Sequence, residues 1–352
     1  MAIIISDDDV RRHLSMWECV DAMQIAFRDF ANGKAVTLPR VRYKTDAGDG
    51  VDYFCNVHVG AVPSLGMACV RAGSQITQEN PDRPGHRNYP SPVNWTVIIL
   101  YDIKTSEPVA FLHESHLSGM RVGATSAAAV DAVARPEASE LALFGSGRQA
   151  RSHCRAICTV RPIKRVRTYS PNRANREALA AELRAEGINV MPMDDPKKVV
   201  DGADIVCCAT SSALPVFDGD LLQKGQMVVS IANTDVTMVR REVDPKVLEK
   251  ADGIIVAHWP SVEANGQIEI SELIAKGTVK RERVHELGDV LAGKAPLRQT
   301  ADNIIYFKNN TGLGMQFAAA GAIIYKKMMG EDRKSTRLNS SHTDISRMPS
   351  SA

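Results

Sequence analysis

The chain has 352 residues, more than one compact core usually holds, so its length predicts two domains. Its 43 lysines and arginines nearly balance 41 aspartates and glutamates, which gives no reason to expect nucleic acid or an anionic membrane as a partner. No apolar run could span a bilayer, the start lacks a signal-peptide pattern, and the seven scattered cysteines lack zinc-type spacing. We therefore expect a cytoplasmic protein with reduced thiols and no metal site.

The N-terminal part of the chain predicts an α+β unit. Ser6 is a candidate helix N-cap, and apolar residues from Val10 to Phe30 recur at helical spacing, so one helix is expected to end near Gly33. Strand-like runs follow at 51–57, 66–71, 93–101 and 108–113. A proline-rich stretch from 80 to 92 is long enough to indicate a functional or mobile loop.

The pattern then changes to short strands that alternate with helices. Residues 115–134 are rich in small side chains and predict a helix. Apolar strands are expected at 141–144, 166–170, 188–193, 204–209, 226–231 and 253–257. This alternation is typical of a doubly wound parallel sheet of the Rossmann type. A helix rich in glycine and alanine, 312–329, is expected to pack back on the N-terminal unit.

The predicted fold class is thus α/β, a Rossmann-type doubly wound sheet plus a smaller, discontinuous α+β domain. We assign residues 1–118 and 303–330 to the smaller domain and 119–302 to the dinucleotide-binding domain. Residues 331–352 are polar, serine-rich and without a hydrophobic period, so they are expected to be disordered. Part of this tail, 333–342, resembles translated adapter or vector sequence.

A glycine loop joins the first strand of this region to the next helix. It has the pattern Gly-x-Gly-x-x-Ala, with the residues Gly145, Ser146, Gly147, Arg148, Gln149 and Ala150. Gly145 permits the tight turn, Gly147 lets the backbone approach a pyrophosphate, and Ala150 keeps helix and strand close. The helix N-terminus offers N–H groups to the phosphates. The motif, with its alternating strands, predicts a nicotinamide dinucleotide site; a tight turn without ligand and an FAD site are the alternatives.

The end of the second strand bears on the choice between NAD and NADP. An NAD-specific site places an acid there for the ribose hydroxyl. Here Ser170, Asn172 and Arg173 follow the strand, and no carboxylate appears before Glu177. We expect these three residues to hold a 2′-phosphate, so NADP is favoured over NAD; alternatively, Arg173 is an exposed cation at a helix start. Two residues after later strands complete the expected cofactor contacts: Thr210 and Ala232.

Three motifs together resemble the ornithine cyclodeaminase/mu-crystallin family, over residues 1 to 330. They are Met-Arg-Val-Gly-Ala-Thr-Ser-Ala at 120–127, the glycine loop about twenty residues later, and Asn-Thr-Gly-Leu-Gly at 310–314 before an alanine-rich helix. The resemblance implies an NAD(P)-dependent enzyme among cyclodeaminases, alanine dehydrogenases and ketimine or pyrroline-carboxylate reductases. It also implies a homodimer whose discontinuous N-terminal domain binds substrate and dimerises.

Several residues acquire expected roles from their chemistry and from this resemblance. Arg121 lies among small residues, and its planar fork suits a substrate carboxylate, a role that the family's arginine has. Arg40 resembles a second substrate-binding arginine, although Arg42 stands close by. Asp235 follows the fifth strand and falls near the family's catalytic aspartate, so it is expected to exchange a proton with the substrate amine. The alternatives are a surface or ion-paired arginine at 121 and a turn-forming aspartate at 235.

Two departures from the family pattern speak against ornithine cyclodeamination. Many members have a lysine in the strand at 66–74, where this chain offers only Arg71, which cannot act as a base at neutral pH but can bind a carboxylate. The closing helix often carries an aspartate where Gln316 stands. The preferred function is therefore hydride transfer at the α-carbon of a small amino or imino acid. Redox-neutral cyclodeamination with bound NAD and a non-catalytic NADPH-binding protein are the alternatives.

Overall fold

The computed structural model describes residues 2–81, 87, 88, 90, 95–234, 239–265, 267–309 and 311–343. The chain begins with strand β1 (Ile3–Ile5) and two helices, α1 (Asp7–His13) and α2 (Met16–Ala31). Ser6 caps α1 as predicted, but the single long helix that we expected is wrong. Leu14 adopts extended backbone and Ser15 starts α2 with its own capping box to Glu18.

An eight-stranded, mostly antiparallel sheet follows. Its strands after β1 are β2 (Val36–Thr37), β3 (Val41–Asp46), β4 (Asp52–Val62), β5 (Met67–Glu79), β6 (Arg87–Asn88), β7 (Trp95–Asp102) and β8 (Pro108–His113). The order is β1-β8-β7-β5-β4-β2, with β3 paired to β4 and β6 to β5. Strands β4 and β5 are longer than predicted because their pairing runs from Asp52 with Thr77 to Val62 with Met67. Residues 82–86, 89, 91 and 92 of the predicted loop lie outside the described residues.

The second sheet is parallel throughout and forms the doubly wound part of the fold. After α3 (His116–Val133) come β9 (Glu140–Phe144), α4 (Arg148–Val160), β10 (Arg165–Tyr169), α5 (Arg173–Ala185), β11 (Val190–Pro192), α6 (Pro196–Val200), β12 (Ile205–Cys208), β13 (Met227–Ser230), α7 (Pro245–Lys250), β14 (Gly253–Val256), α8 (Trp259–Asn265), α9 (Ile268–Ala275), β15 (Val284–Glu286), α10 (Leu287–Leu291), β16 (Ile305–Lys308) and α11 (Gly314–Thr343). The strand order is β11-β10-β9-β12-β13-β16-β14-β15, which confirms the predicted fold class.

Two strands of this sheet were not predicted, β15 and β16. Strand β16 pairs with β13 on one side and β14 on the other. Residues 305–308 therefore belong to the parallel sheet and not to the N-terminal unit, to which the sequence pattern assigned them. The strand escaped prediction because four residues that end in a lysine carry little periodic signal.

Helix α11 connects the second sheet to the first. It begins beside β4 and packs against β4 and β5. It runs to Thr343, so residues 331–343 are helical where we expected a disordered tail; no proline interrupts the helix after Gly314. Residues 344–352 lie outside the described residues.

Candidate active site

A pocket of about 1110 Å³ lies at the carboxyl ends of the parallel strands. Its lining includes residues at the ends of β9, β10, β12, β13 and β16, together with Arg40, Arg42 and Arg121. Ligands of doubly wound sheets bind at this edge, because helix N-termini and loop backbone converge there. The pocket therefore joins the glycine loop to the predicted substrate arginines in one space.

The glycine loop has the geometry of a phosphate-binding turn. Gly145 has a φ of +112°, and a Cβ on it would lie 2.3 Å from the carbonyl oxygen of Ala209, so only glycine fits. Gly147 begins α4 without a side-chain cap, and a Cβ there would have no protein atom within 4 Å. The first N–H groups of α4 thus open into the pocket. Five predicted loop residues line the pocket, namely Gly145, Ser146, Gly147, Arg148 and Gln149, whereas Ala150 is fully buried.

Of the three residues after β10 that were expected to hold the 2′-phosphate of the ribose, only Ser170 lies in the pocket. Ser170 lines the pocket, and its hydroxyl accepts a hydrogen bond of 2.9 Å from Ser146 Oγ. Asn172 instead caps α5 by accepting from the Asn175 N–H. The side chain of Arg173 is 76% exposed and lies 3.9 Å from Glu177. Neither Asn172 nor Arg173 lines the pocket.

Thr210 and Ala232, the two further expected cofactor contacts, line the pocket, and a buried carboxylate that we did not predict holds their backbone. Glu242 is 1% exposed and accepts from the N–H groups of Thr210 (2.5 Å), Ile231 (3.0 Å) and Ala232 (2.8 Å). Lys308 donates to the Ala232 carbonyl and forms a buried ion pair with Glu269. The position of Glu242 between two strand ends depends on tertiary packing, which no local pattern reveals.

Arg121 projects from α3 into the pocket. It is 7% exposed, its Nη1 donates to Gln316 Oε1 at 3.1 Å, and its guanidinium lies 4.7 Å from the centre of the Phe317 ring. A Cβ at Gly312 would lie 2.9 Å from the guanidinium, so the glycine makes room for it. Burial lowers the pKa of Arg121 to about 10, which leaves it charged at neutral pH. Its Nε is buried without a hydrogen-bond partner, as expected of a group that receives an anion.

Three more arginines reach the pocket. Arg40, the second predicted substrate residue, lines it, and so does Arg42, whose Nε donates to Asn56 Oδ1 at 2.6 Å. Arg240, which we did not predict, also lines the pocket. Its backbone exchanges hydrogen bonds with the hydroxyl of Thr234. Asp235, between these two residues in sequence, lies outside the described residues.

Arg71 is not brought into the pocket, contrary to the expectation that it binds substrate. Its Nε and Nη2 both lie 2.6 Å from Glu114 Oε2, and its Nη1 donates to His58 Nδ1 at 3.1 Å. Burial, followed by the charge of Arg71, holds the pKa of His58 well below its usual value. Glu114 lies 43 residues away in sequence, so the strand that carries Arg71 gave no sign of this ion pair.

Within the described residues, no cluster of histidine, cysteine and acidic side chains could hold a metal ion. His153 and Cys154 are fully buried, and His153 Nε2 hydrogen bonds to Ser126 Oγ at 2.9 Å. No helix in the described part of the chain is long and apolar enough to cross a membrane.

Comparison with known proteins identifies the family. Residues 2–332 match the model of the ornithine cyclodeaminase/mu-crystallin family, and the chain belongs to this family. A Delta(1)-pyrroline-2-carboxylate reductase of Bacillus cereus is 26% identical over 93% of this chain and 97% of its own length. An alanine dehydrogenase of Archaeoglobus fulgidus is 25% identical over 94% and 96% of the two chains. The prediction of an enzyme of this family is confirmed.

Solved structures agree with this placement. A probable ornithine cyclodeaminase from Bordetella pertussis superposes with a TM-score of 0.77 at 26% identity, covering 94% of this chain and 98% of the other. The Thermococcus litoralis Delta(1)-pyrroline-2-carboxylate reductase, in complex with NADH and L-proline, gives 0.82 at 24% identity over 94% and 98%. The second likeness shows a common fold.

Proposed function

We propose that this chain transfers hydride at the α-carbon of a small amino or imino acid, as an imine reductase and, in reverse, an amino-acid dehydrogenase. One observation carries the proposal: the buried, charged Arg121 shares a pocket with the glycine loop. The names of the relatives from Bacillus cereus and Archaeoglobus fulgidus support a reductase or a dehydrogenase.

The glycine loop and the residues around it fit a nicotinamide dinucleotide. Gly147 leaves open space in front of the α4 N-terminus, and Arg148 lines the same wall, so the diphosphate has N–H donors and a cation nearby. Thr210 and Ala232, held by Glu242, form the floor farther along the strand ends. A bound nicotinamide supplies or accepts the hydride.

The side chains of the pocket account for the rest of the reaction. Arg121 holds the substrate carboxylate with its fork and thereby fixes the α-carbon. As hydride reaches this carbon, the electron pair of the C=N bond moves to nitrogen, which takes a proton. We assign that proton to Asp235, on sequence grounds, and the reverse reaction returns it there.

Turnover assays test this proposal. The purified chain should consume NADPH or NADH with cyclic imino acids or with α-keto acids plus ammonium, at a rate that Arg121→Met lowers mainly through KM. Ammonia release from L-ornithine without net change in NADH would indicate the cyclodeaminase instead. Tight NADPH binding without turnover of any substrate would indicate the non-catalytic alternative.

We further propose NADP as the preferred cofactor, since among the described residues that line the pocket none is acidic. Ser170→Asp should shift the ratio of NADP affinity to NAD affinity by roughly 10-fold or more in favour of NAD. The new carboxylate accepts a hydrogen bond from a free ribose hydroxyl and repels a 2′-phosphate. Titration of both cofactors by fluorescence measures this ratio. Arg173→Ala is the matched control and should leave the ratio unchanged, given the exposure of its side chain. A strong preference for NAD in the unmodified chain would contradict the assignment.

We also propose a homodimer formed through the outer face of the first sheet, defined by Ile4, Val41, Trp95, Val97 and Phe111. These apolar side chains are 38–81% exposed. They share one face of the sheet, whose register aligns Ile4 with Phe111 and both with the outward positions of β7. Helix α11 packs against β4 and β5, and the outer face has no such cover among the described residues. So large an apolar patch is typical of an interface between subunits.

Charge on that face should abolish association. The double variant Val41→Lys, Trp95→Lys should sediment as a monomer, while Leu214→Lys, at a 73% exposed leucine far from the first sheet in sequence, should not change the dimer. Sedimentation velocity distinguishes the two states. A double variant that remains dimeric would place the interface elsewhere. We propose a cytoplasmic location on the basis of the seven cysteines, all described and all free thiols.

A further inference from the structure

We infer that the substrate is a dicarboxylic imino acid, reduced to a dicarboxylic amino acid, and that Arg240 binds its second carboxylate. The inference rests on the proposed function and names the substrate class of the same pocket. The hydride, electron pair and proton move as described above, and the second carboxylate stays intact.

The pocket is strongly cationic. Its described lining includes five arginines and no aspartate, glutamate or lysine: Arg40, Arg42, Arg121, Arg148 and Arg240. A monocarboxylic imino acid has one anionic group, and the diphosphate of a dinucleotide lies at the glycine loop beside Arg148. Arg121 and Arg240 then carry two positive charges, one more than a single carboxylate balances.

The strand order places Arg240 at the substrate end of the pocket. The glycine loop follows β9, whereas Arg240 is tied to Thr234, just after β13, and β12 separates the two strands. Arg121 is tied to the end of β16, the neighbour of β13, since Asn309 Nδ2 donates to the Val122 carbonyl at 2.9 Å. Arg240 and Arg121 thus stand near adjacent strand ends, about two and three strand spacings (~10 Å and ~14 Å) from the phosphate loop.

Neither arginine is neutralised by a described acidic residue within ion-pair distance. The Nε atoms of Arg121 and Arg240 are both buried without a hydrogen-bond partner, and Arg121 donates to a neutral amide, that of Gln316. Buried donors of this kind are usually satisfied, so a ligand with two anionic groups is the natural complement. A diamino acid would instead bring a second ammonium group into a wall of guanidinium groups. The same feature that favours a dicarboxylate therefore disfavours an ornithine-like substrate.

Steady-state kinetics with NADPH and NADH test the inference. The imines form in solution from ammonium with oxaloacetate or 2-oxoglutarate (dicarboxylic) and with pyruvate (monocarboxylic), and 1-pyrroline-2-carboxylate is the cyclic monocarboxylic probe. We expect kcat/KM to be at least about 10-fold higher for a dicarboxylic imine. Arg240→Met should lower that value by roughly 10- to 100-fold and spare the monocarboxylic substrates.

Arg241→Met is the matched control. Arg241 is the next residue, is ion-paired with Glu272 at 2.8 Å and does not line the pocket, so its loss should leave the substrate preference unchanged. If Arg240→Met fails to fold, Arg240→Lys keeps the charge without the fork and should show a smaller selective loss.

Two results would overturn the inference: equal kcat/KM for both substrate classes in the unmodified chain, or an Arg240→Met loss that is the same for every substrate. If no substrate turns over, calorimetry of the cofactor complex measures the binding of L-aspartate and of L-alanine and so tests the dicarboxylate site directly. Selective binding of L-aspartate, lost in Arg240→Met, would support a dicarboxylate site while contradicting hydride transfer. Absence of that selectivity would overturn the dicarboxylate site itself.

Discussion

A Gly147→Val variant should fold normally and lose its affinity for nicotinamide dinucleotides by at least about 100-fold, equivalent to about 2.8 kcal/mol. Gly147 has a φ of −86° and a ψ of −172°, which valine adopts without strain, and no protein atom lies within 4 Å of the added Cβ. The branched side chain would fill the space before the α4 N–H groups, where the diphosphate must lie. Fluorescence titration with NADPH and NADH measures the loss.

The neighbouring glycine provides a contrast. Gly145→Val places a Cβ 2.3 Å from the Ala209 carbonyl oxygen at a positive φ, so this variant should lower the Tm as well as cofactor affinity. Gly147→Val should leave the Tm within a few degrees of the unmodified protein. Unchanged affinity in a folded Gly147→Val protein would remove the cofactor assignment at the loop.

Asp235→Asn should lower kcat by roughly 10²–10⁴-fold while cofactor affinity stays unchanged. Asparagine keeps the size of the side chain but cannot exchange the proton of the substrate amine. Asp235 lies outside the described residues, and the prediction derives from its place in sequence after β13, whose end lines the pocket. In the direction of amino-acid oxidation, the unmodified enzyme should lose kcat as pH falls and the carboxylate is protonated. The variant should lack that acidic limb.

Near-normal turnover with an unshifted pH profile would assign the proton to another group. Glu114 would then be tested first: it does not line the pocket, but its Oε1 is buried without a hydrogen-bond partner while Oε2 binds Arg71. Glu114→Gln, compared with Asp235→Asn in the same pH series, would identify the group.

Local pattern was enough to predict the geometry of the glycine loop. Gly145 and Gly147 have consequences within a few residues, in a turn and at a helix start, so spacing in sequence reveals them. The place of Arg121 in the pocket was predictable from its chemistry together with the family motif. Arg71 and Arg173 were misplaced because a cation's role depends on its partner and on the direction of its side chain. The partner of Arg71, Glu114, lies between β8 and α3, and the side chain of Arg173 is exposed to solvent.

Residues defined by tertiary contacts could not be predicted. Glu242 acquires its role only when β12 and β13 lie side by side, because it accepts from N–H groups at both strand ends. Arg240 stands out only once the lining of the pocket is known. The break between α1 and α2 was, in contrast, present in the sequence: Ser15 followed by Glu18 has the spacing of a capping box within a helical apolar pattern.

The central position of β16 has a consequence for biosynthesis. Strands β13 and β14 are joined only through residues 305–308, which leave the ribosome after every other strand of the sheet. Until then both strands expose unpaired edges, the condition that invites aggregation and chaperone binding. A nascent chain halted before Ile305 should therefore stay protease-sensitive and unable to bind dinucleotide, even though its glycine loop is complete. The cofactor can stabilise only a chain that already includes β16, so completion of the pocket depends on the synthesis of residues 305–308.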